Sequence, residues 1–131
     1  MNNRFKFRVW DKLAERMIYP HNDNQQHFII DLNGQFHNLQ NGSGGDDYVI
    51  QQYTGLTDIN DDPIYEGDIL KNHYDVGNNI IGQVLYESDH GGYIFQWKRK
   101  GRGQDYKNLN CDVAFESVIV GNIFENPELL N

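Results

Sequence analysis

Gln52-Tyr53-Thr54-Gly55-Leu56, followed by Ile64-Tyr65-Glu66-Gly67-Asp68-Ile69-Leu70, is the stretch that decides how this chain folds. Two short aromatic and apolar runs flank the polar segment 57–63, the pattern of a strand, a turn and a second strand. Glycine at 55 and 67 suits turns or close backbone approach, and Tyr53 and Tyr65 suit core positions. Glu66-Gly67-Asp68 reads as a turn in which Asp68 binds nearby backbone N–H groups.

The segments on either side continue in the same style. Phe5-Lys6-Phe7-Arg8-Val9 alternates, which sends Phe5, Phe7 and Val9 to a core and Lys6 and Arg8 to solvent. A polar connection over 11–16 leads to a return strand at Met17-Ile18-Tyr19, stopped by Pro20. Residues 28–32 and 35–39 flank Asn33-Gly34, which predicts a hairpin with a two-residue type I′ loop and Ile30 opposite His37. The Gly-rich run 40–47 reads as a flexible linker or internal boundary. Strands are expected over 48–54, 69–73, 80–86 and 93–97, with Asp89-His90-Gly91-Gly92 as a second hairpin turn and 98–108 as a basic loop or hairpin tip.

No 3.6-residue periodicity is sustained, so the expected class is all-β (mainly β). We read a small SH3-like or related β-barrel over 48–131, with an additional N-terminal β-hairpin region over 1–47. The 131 residues suffice to bury a core without disulfides. Only 38% of the chain is hydrophobic, so the 13% that is aromatic supplies much of that core. A single cysteine, Cys111, excludes an internal disulfide and reads as a small, partly buried thiol. No basic-then-apolar leader and no apolar run of about 18 residues is present, which points to a soluble, cytoplasmic protein rather than a membrane one.

Charge is distributed unevenly. The formal net charge is -8, yet Arg4, Lys6, Arg8, Lys12 and Arg16 lie at one end and Lys98, Arg99, Lys100, Arg102 and Lys107 towards the other. Residues 18–97 hold 12 acids against Lys71 alone. This excludes a uniformly basic nucleic-acid binder and favours complementary contact between copies of the chain.

Candidate chemistry meets a structural explanation at almost every position. Asp58, Asn60 and Asp62 match the first ligands of a calcium loop, but Pro63 stands where that loop needs glycine and Ile69 where it needs glutamate. The pairs Glu66/Asp68 and Glu87/Asp89 share a strand face and border turns, whereas paired catalytic carboxylates come from separate elements around a cleft. His21, His27, His37, His73 and His90 show no ligand spacing. The glycines at 42–45 and 101–103 lack the strand-to-helix context of a phosphate loop. No catalytic residue, metal or cofactor is assigned.

Two surfaces carry an interaction reading. Trp10 stands on the otherwise polar side of its strand, where a partner would cover it. Trp97-Lys98-Arg99-Lys100-Gly101-Arg102 joins an aromatic to a basic cluster, which suits either an acidic patch on another copy or, as the alternative, a nucleic acid held by the loop 97–107.

Arg8-x-Trp10-Asp11, Met17-Ile18-Tyr19, Gln52-Tyr53-Thr54-Gly55-Leu56, Ile64-Tyr65-Glu66-Gly67-Asp68-Ile69 and Val120-Gly121-Asn122-Ile123-Phe124-Glu125-Asn126-Pro127-Glu128-Leu129-Leu130 occur in this order. Together they resemble the YopX family of bacteriophage and prophage proteins. The resemblance implies a small β-rich fold with no catalytic residues to transfer. This chain departs at Asn60-Asp61-Asp62, where related chains often have an Asn-Gly turn. The expected function is that of a non-enzymatic accessory protein, a homo-oligomer or a binder of a phage or host protein.

Overall fold

The computed structural model describes residues 5–19, 28–75, 78–99, 101 and 103–131. Eleven strands form three antiparallel sheets, with one short helix among the described residues. The chain divides into two compact units, Phe5–Gln52 and Tyr53–Asn131.

In the first unit, β1 (Phe7–Asp11) pairs with β2 (Arg16–Ile18), while β3 (Phe28–Ile30) and β4 (Phe36–Asn38) form a separate hairpin. The start of β5 (Tyr48–Thr57) completes the sheet on β1. Val9, Ile18 and Phe36 are the buried centre, with Phe28, Ile30, Tyr48 and Ile50 packed around them. The Phe36 ring lies 5.4 Å from Phe28 and 4.6 Å from Tyr48, close enough for aromatic pairing. The turn after β1 is held by Asp11, whose Oδ1 accepts the N–H groups of Leu13 and Ala14.

Two expectations in this unit are corrected. Val9 is buried as the alternation expects, but Phe5 is exposed and Arg8 is buried, against it. The Arg8 guanidinium is held inside by Nε donating to Gln51 Oε1 at 2.7 Å and Nη1 to the Tyr19 hydroxyl at 3.4 Å. The second correction is the hairpin register: Ile30 faces Phe36, and His37 faces Ile29. Asp31 captures the turn, closing a longer loop than Asn33-Gly34 alone. The Gly34 N–H bonds the Asp31 carbonyl, the Asp31 N–H bonds the Gln35 carbonyl, and Gly34 takes φ +79°. This is a type I turn followed by a left-handed residue, and the extra position moves the pairing by one. Residues 40–47 hold a hydrogen-bonded turn and a 3-10 turn, Gly45–Asp47. Asn38 and Ser43 are joined at 2.8 Å through the backbone, and the Ser43 hydroxyl bridges Asn41 and Tyr48.

In the second unit, the end of β5 pairs with β6 (Pro63–Tyr65) around a bulge. Gly55 adopts φ +88° there, and the Thr54 hydroxyl donates to the Ile64 carbonyl at 2.8 Å. The quoted Tyr-Thr-Gly-Leu run is thus a bulged strand, which turns Leu56 onto the core. Asp68 receives the Tyr65 N–H on Oδ2 at 2.8 Å, as its turn predicts.

Strands β7 (Asp68–Asp75), β8 (Asn78–Glu87), β9 (Gly92–Arg99), β10 (Gly103–Asn108) and β11 (Ser117–Asn122) make a sheet in the order β10-β9-β8-β7-β11 that curls into a half-barrel. The Asp89-His90-Gly91-Gly92 turn joins β8 to β9 as expected, with Glu87 opposite Gly92. Ile64, Leu70, Val84, Phe95, Val113 and Ala114 form the core. Each fully buried aliphatic or aromatic side chain contributes about 1.5–3 kcal/mol. At Gly82 an added Cβ would stand 2.3 Å from the Gln96 carbonyl oxygen, so glycine permits the strong curl there.

The helix α1 (Cys111–Phe115) was not legible as such. It is far too short to be stable alone. Asn110 caps it through Val113 N–H at 3.0 Å, and buried Ser117 and Asn72 bond the Val113 carbonyl. Its burial of Val113 and Ala114 leaves Cys111 exposed, not partly buried. A 3-10 turn, Pro127–Leu130, follows β11.

Candidate interaction surface

Trp10 lies in β1 opposite Met17 and Val49, and all three side chains are half-buried. Arg8 and Gln51 sit on the same face, two residues along. Both are buried, so the expectation of a polar, solvated side does not hold there.

The basic cluster after Trp97 is divided by the strand itself. Trp97 packs on the core face, its ring 5.3 Å from Phe95. Lys98 is the next residue and projects to the opposite face. Arg99 returns to the side of Trp97, with Nη1 3.3 Å from the Asp105 carboxylate. Lys100 and Arg102 lie outside the described residues. The structure therefore brings Arg99 to Asp105 and starts the Trp97 and Lys98 side chains on opposite faces of the strand.

Beside Lys98 is a cavity of about 280 Å³ lined by Gln83, Gln96, Trp97, Lys98, Gln104, Pro127, Leu130 and Asn131. Gln83 pairs directly with Gln96, and Gln104 with Lys98, so cross-strand register assembles the amides. These side chains donate and accept hydrogen bonds and supply one cation.

The carboxylates read from the sequence serve the backbone. Asp58 is buried and accepts three N–H groups: Asn60 and Asp62 on Oδ1, both at 2.9 Å, and Ile119 on Oδ2 at 3.0 Å. Glu87 accepts the Asp89 N–H within its turn at 3.3 Å. Asp31 holds its own turn and meets His37 Nε2 at 2.8 Å. That hydrogen bond, with help from the Gln35 N–H, pulls the Asp31 carboxyl below its ordinary value. Burial, with Glu66 and Tyr86 nearby, pushes the Tyr93 phenol up. His73 bonds Asn79 on the surface. His21 and His27 lie outside the described residues, and no group of three or more potential metal ligands occurs among those described.

The second half of the segment expected as a basic loop or hairpin tip is a strand, β10 (Gly103–Asn108). Its sequence, Gly-Gln-Asp-Tyr-Lys-Asn, has no apolar alternation to announce a strand, and only pairing with β9 creates one.

A mainly β protein with a curled five-stranded sheet, whose buried acids hold turns, is the class that fold and site define. The chain belongs to the YopX protein family, which matches residues 6–131. It is similar in fold to the crystal structure of protein EF1440 from Enterococcus faecalis, with a TM-score of 0.57 and 24% identity over 96% of this chain and 97% of that one. No curated protein matches it. No helix among the described residues is long and apolar enough to cross a membrane.

Proposed function

We propose that this YopX family chain is a non-enzymatic accessory protein of phage or prophage origin, acting in the bacterial cytoplasm through self-association, with binding to a phage or host protein as the wider class. The observation that carries the reading is the segregation of charge, 12 acids against Lys71 over residues 18–97 between two basic segments. Oppositely charged segments on one chain favour contact between copies and steer it. We also take the half-barrel as part of a small SH3-like or related barrel.

The alternative, a nucleic-acid-binding module using 97–107, needs an aromatic platform beside cations. The packing of the Trp97 ring on Phe95 and Arg99 beside Asp105 favour protein contact instead. Light scattering from micromolar to millimolar protein, at low and high salt, tests the reading. A mass above one chain that falls with salt is expected; a monomer throughout removes self-association. Salt-dependent binding to an oligonucleotide, abolished by Arg99→Glu with Arg102→Glu, would establish the alternative in its place.

A further inference from the structure

The five-stranded sheet has two edges, and the chain treats them differently. Along β11, the Ile59 N–H bonds the Ser117 carbonyl at 2.9 Å and the Ile119 N–H bonds Asp58 Oδ2 at 3.0 Å. The turn at 58–62 therefore covers that edge. Along β10 the described residues provide no such cover.

Which groups β10 presents follows from one hydrogen bond. Leu109 donates its N–H to the Tyr93 carbonyl at 3.0 Å. In an antiparallel ladder, residues that bond the partner alternate with residues that face away. Residues 103, 105 and 107 thus face β9, and Gln104, Tyr106 and Asn108 direct both N–H and C=O outward. The Tyr106 N–H confirms the phase: it reaches Asp105 Oδ1 at 3.1 Å, outside the ladder. The pairing with β9 is unbroken over the strand, with no bulge and no proline to spoil a further partner.

We infer that β10 is a docking edge for a second copy of this chain, added antiparallel about a two-fold axis at Tyr106. This deepens the self-association reading and rests on it. In that register Tyr106 faces Tyr106 of the other copy and Gln104 faces Asn108, so every pair uses outward backbone groups. Asp105 then stands opposite Lys107 in both directions. The neighbouring registers with the same phase fail on charge. A shift of two residues one way sets Asp105 against Asp105, and the other way Lys107 against Lys107, and like charges directly opposite are destabilising. Backbone phase and side-chain charge select the same alignment, giving a closed, isologous dimer. On docking, Asp105 Oδ1 exchanges the Tyr106 N–H for Lys107 of the other copy, and Tyr106 N–H passes to the facing carbonyl.

The test is light scattering on the full chain from micromolar to millimolar protein, for the parent and three variants. Tyr106→Pro removes an N–H that β9 does not use, so the edge strand can keep its fold while losing its partner. Asp105→Lys and Lys107→Asp each set like charges across the axis. The expected result is a dimeric parent, monomeric single variants, and a dimer restored when Asp105→Lys and Lys107→Asp are mixed in equal amounts. A dimeric parent whose variants all remain dimeric would overturn the edge and leave self-association to another surface. A parent that is monomeric throughout would remove both. A β10 that captures an unrelated extended peptide while the parent stays monomeric would likewise overturn the second-copy assignment.

Discussion

Replacing Asp58 separates what a turn needs from what a tertiary fold needs. The sequence holds two versions of one turn, Asp31-Leu32-Asn33-Gly34-Gln35 and Asp58-Ile59-Asn60-Asp61-Asp62. In both, the aspartate Oδ1 receives N–H groups from the second and fourth residues after it, at 2.9–3.0 Å. The difference is Oδ2, which meets the His37 ring from Asp31 but the Ile119 backbone from buried Asp58. Asp58→Ala loses the turn contacts, worth about 1 kcal/mol by analogy with a lost cap. It also strands the Ile119 N–H, which costs about 1–3 kcal/mol. The total is about 2–4 kcal/mol, or a fall of about 1–2 M in the urea midpoint. Asp58→Asn is the sharper probe. It keeps one carbonyl oxygen for the turn but sets an amide NH₂ or nothing against Ile119, and should lose about 1–3 kcal/mol. Urea unfolding followed by tryptophan fluorescence, with amide exchange at Ile119, reads both effects. Asp31→Asn should be nearly neutral. Equal losses for Asp58→Asn and Asp31→Asn, with Ile119 still protected, would refute the reasoning.

The remaining predictions concern backbone and pH. Asp61→Gly should raise stability by up to about 1 kcal/mol, because Asp61 adopts φ +64° where Gly34 stands in the twin turn; relief of the left-handed conformation exceeds the entropy that glycine adds, and a lower melting temperature would contradict this. Gly82→Ala should cost about 3 kcal/mol by forcing its Cβ into the Gln96 carbonyl, whereas Gly92→Ala, with open space around it, should change the urea midpoint little. Asp31 titrates below its ordinary 3.8, chiefly through His37, so the support this contact gives is present above the unfolded pKa and fades as pH falls through the lower folded one. His37→Ala should return the Asp31 carboxyl towards 3.8 in an NMR titration, and an unmoved curve would dismiss the contact.

Turns and their aspartates were the most legible part of the molecule. Asp68 and the Glu87-Ser88-Asp89 region behave as local chemistry requires, because their partners lie within a few residues. The hairpin at 31–35 was legible as a hairpin and wrong by one position. Asn33-Gly34 fits a two-residue loop, but the Asp31 carboxylate stabilises the longer one, and competition between them is decided by whether Phe36 enters the core. Arg8 defeated the alternation for a related reason: Gln51, 43 residues away, gives its guanidinium a buried partner. The helix Cys111–Phe115 has no periodicity because one turn cannot show any.

What the sequence determined by itself was the β-rich class, the family, the strand–turn–strand unit around Tyr53 and Tyr65, and the acids that serve turns. These depend on neighbours in the chain. The candidate surface was decided only in three dimensions. Trp97 and Lys98 look like one cluster when written side by side, but the two-residue period of β9 starts their side chains on opposite faces. Asp105, Tyr106 and Lys107 look unremarkable in a polar run, but pairing with β9 turns three backbone positions outward and makes an edge. Register is a property of two strands at once, and no single segment contains it.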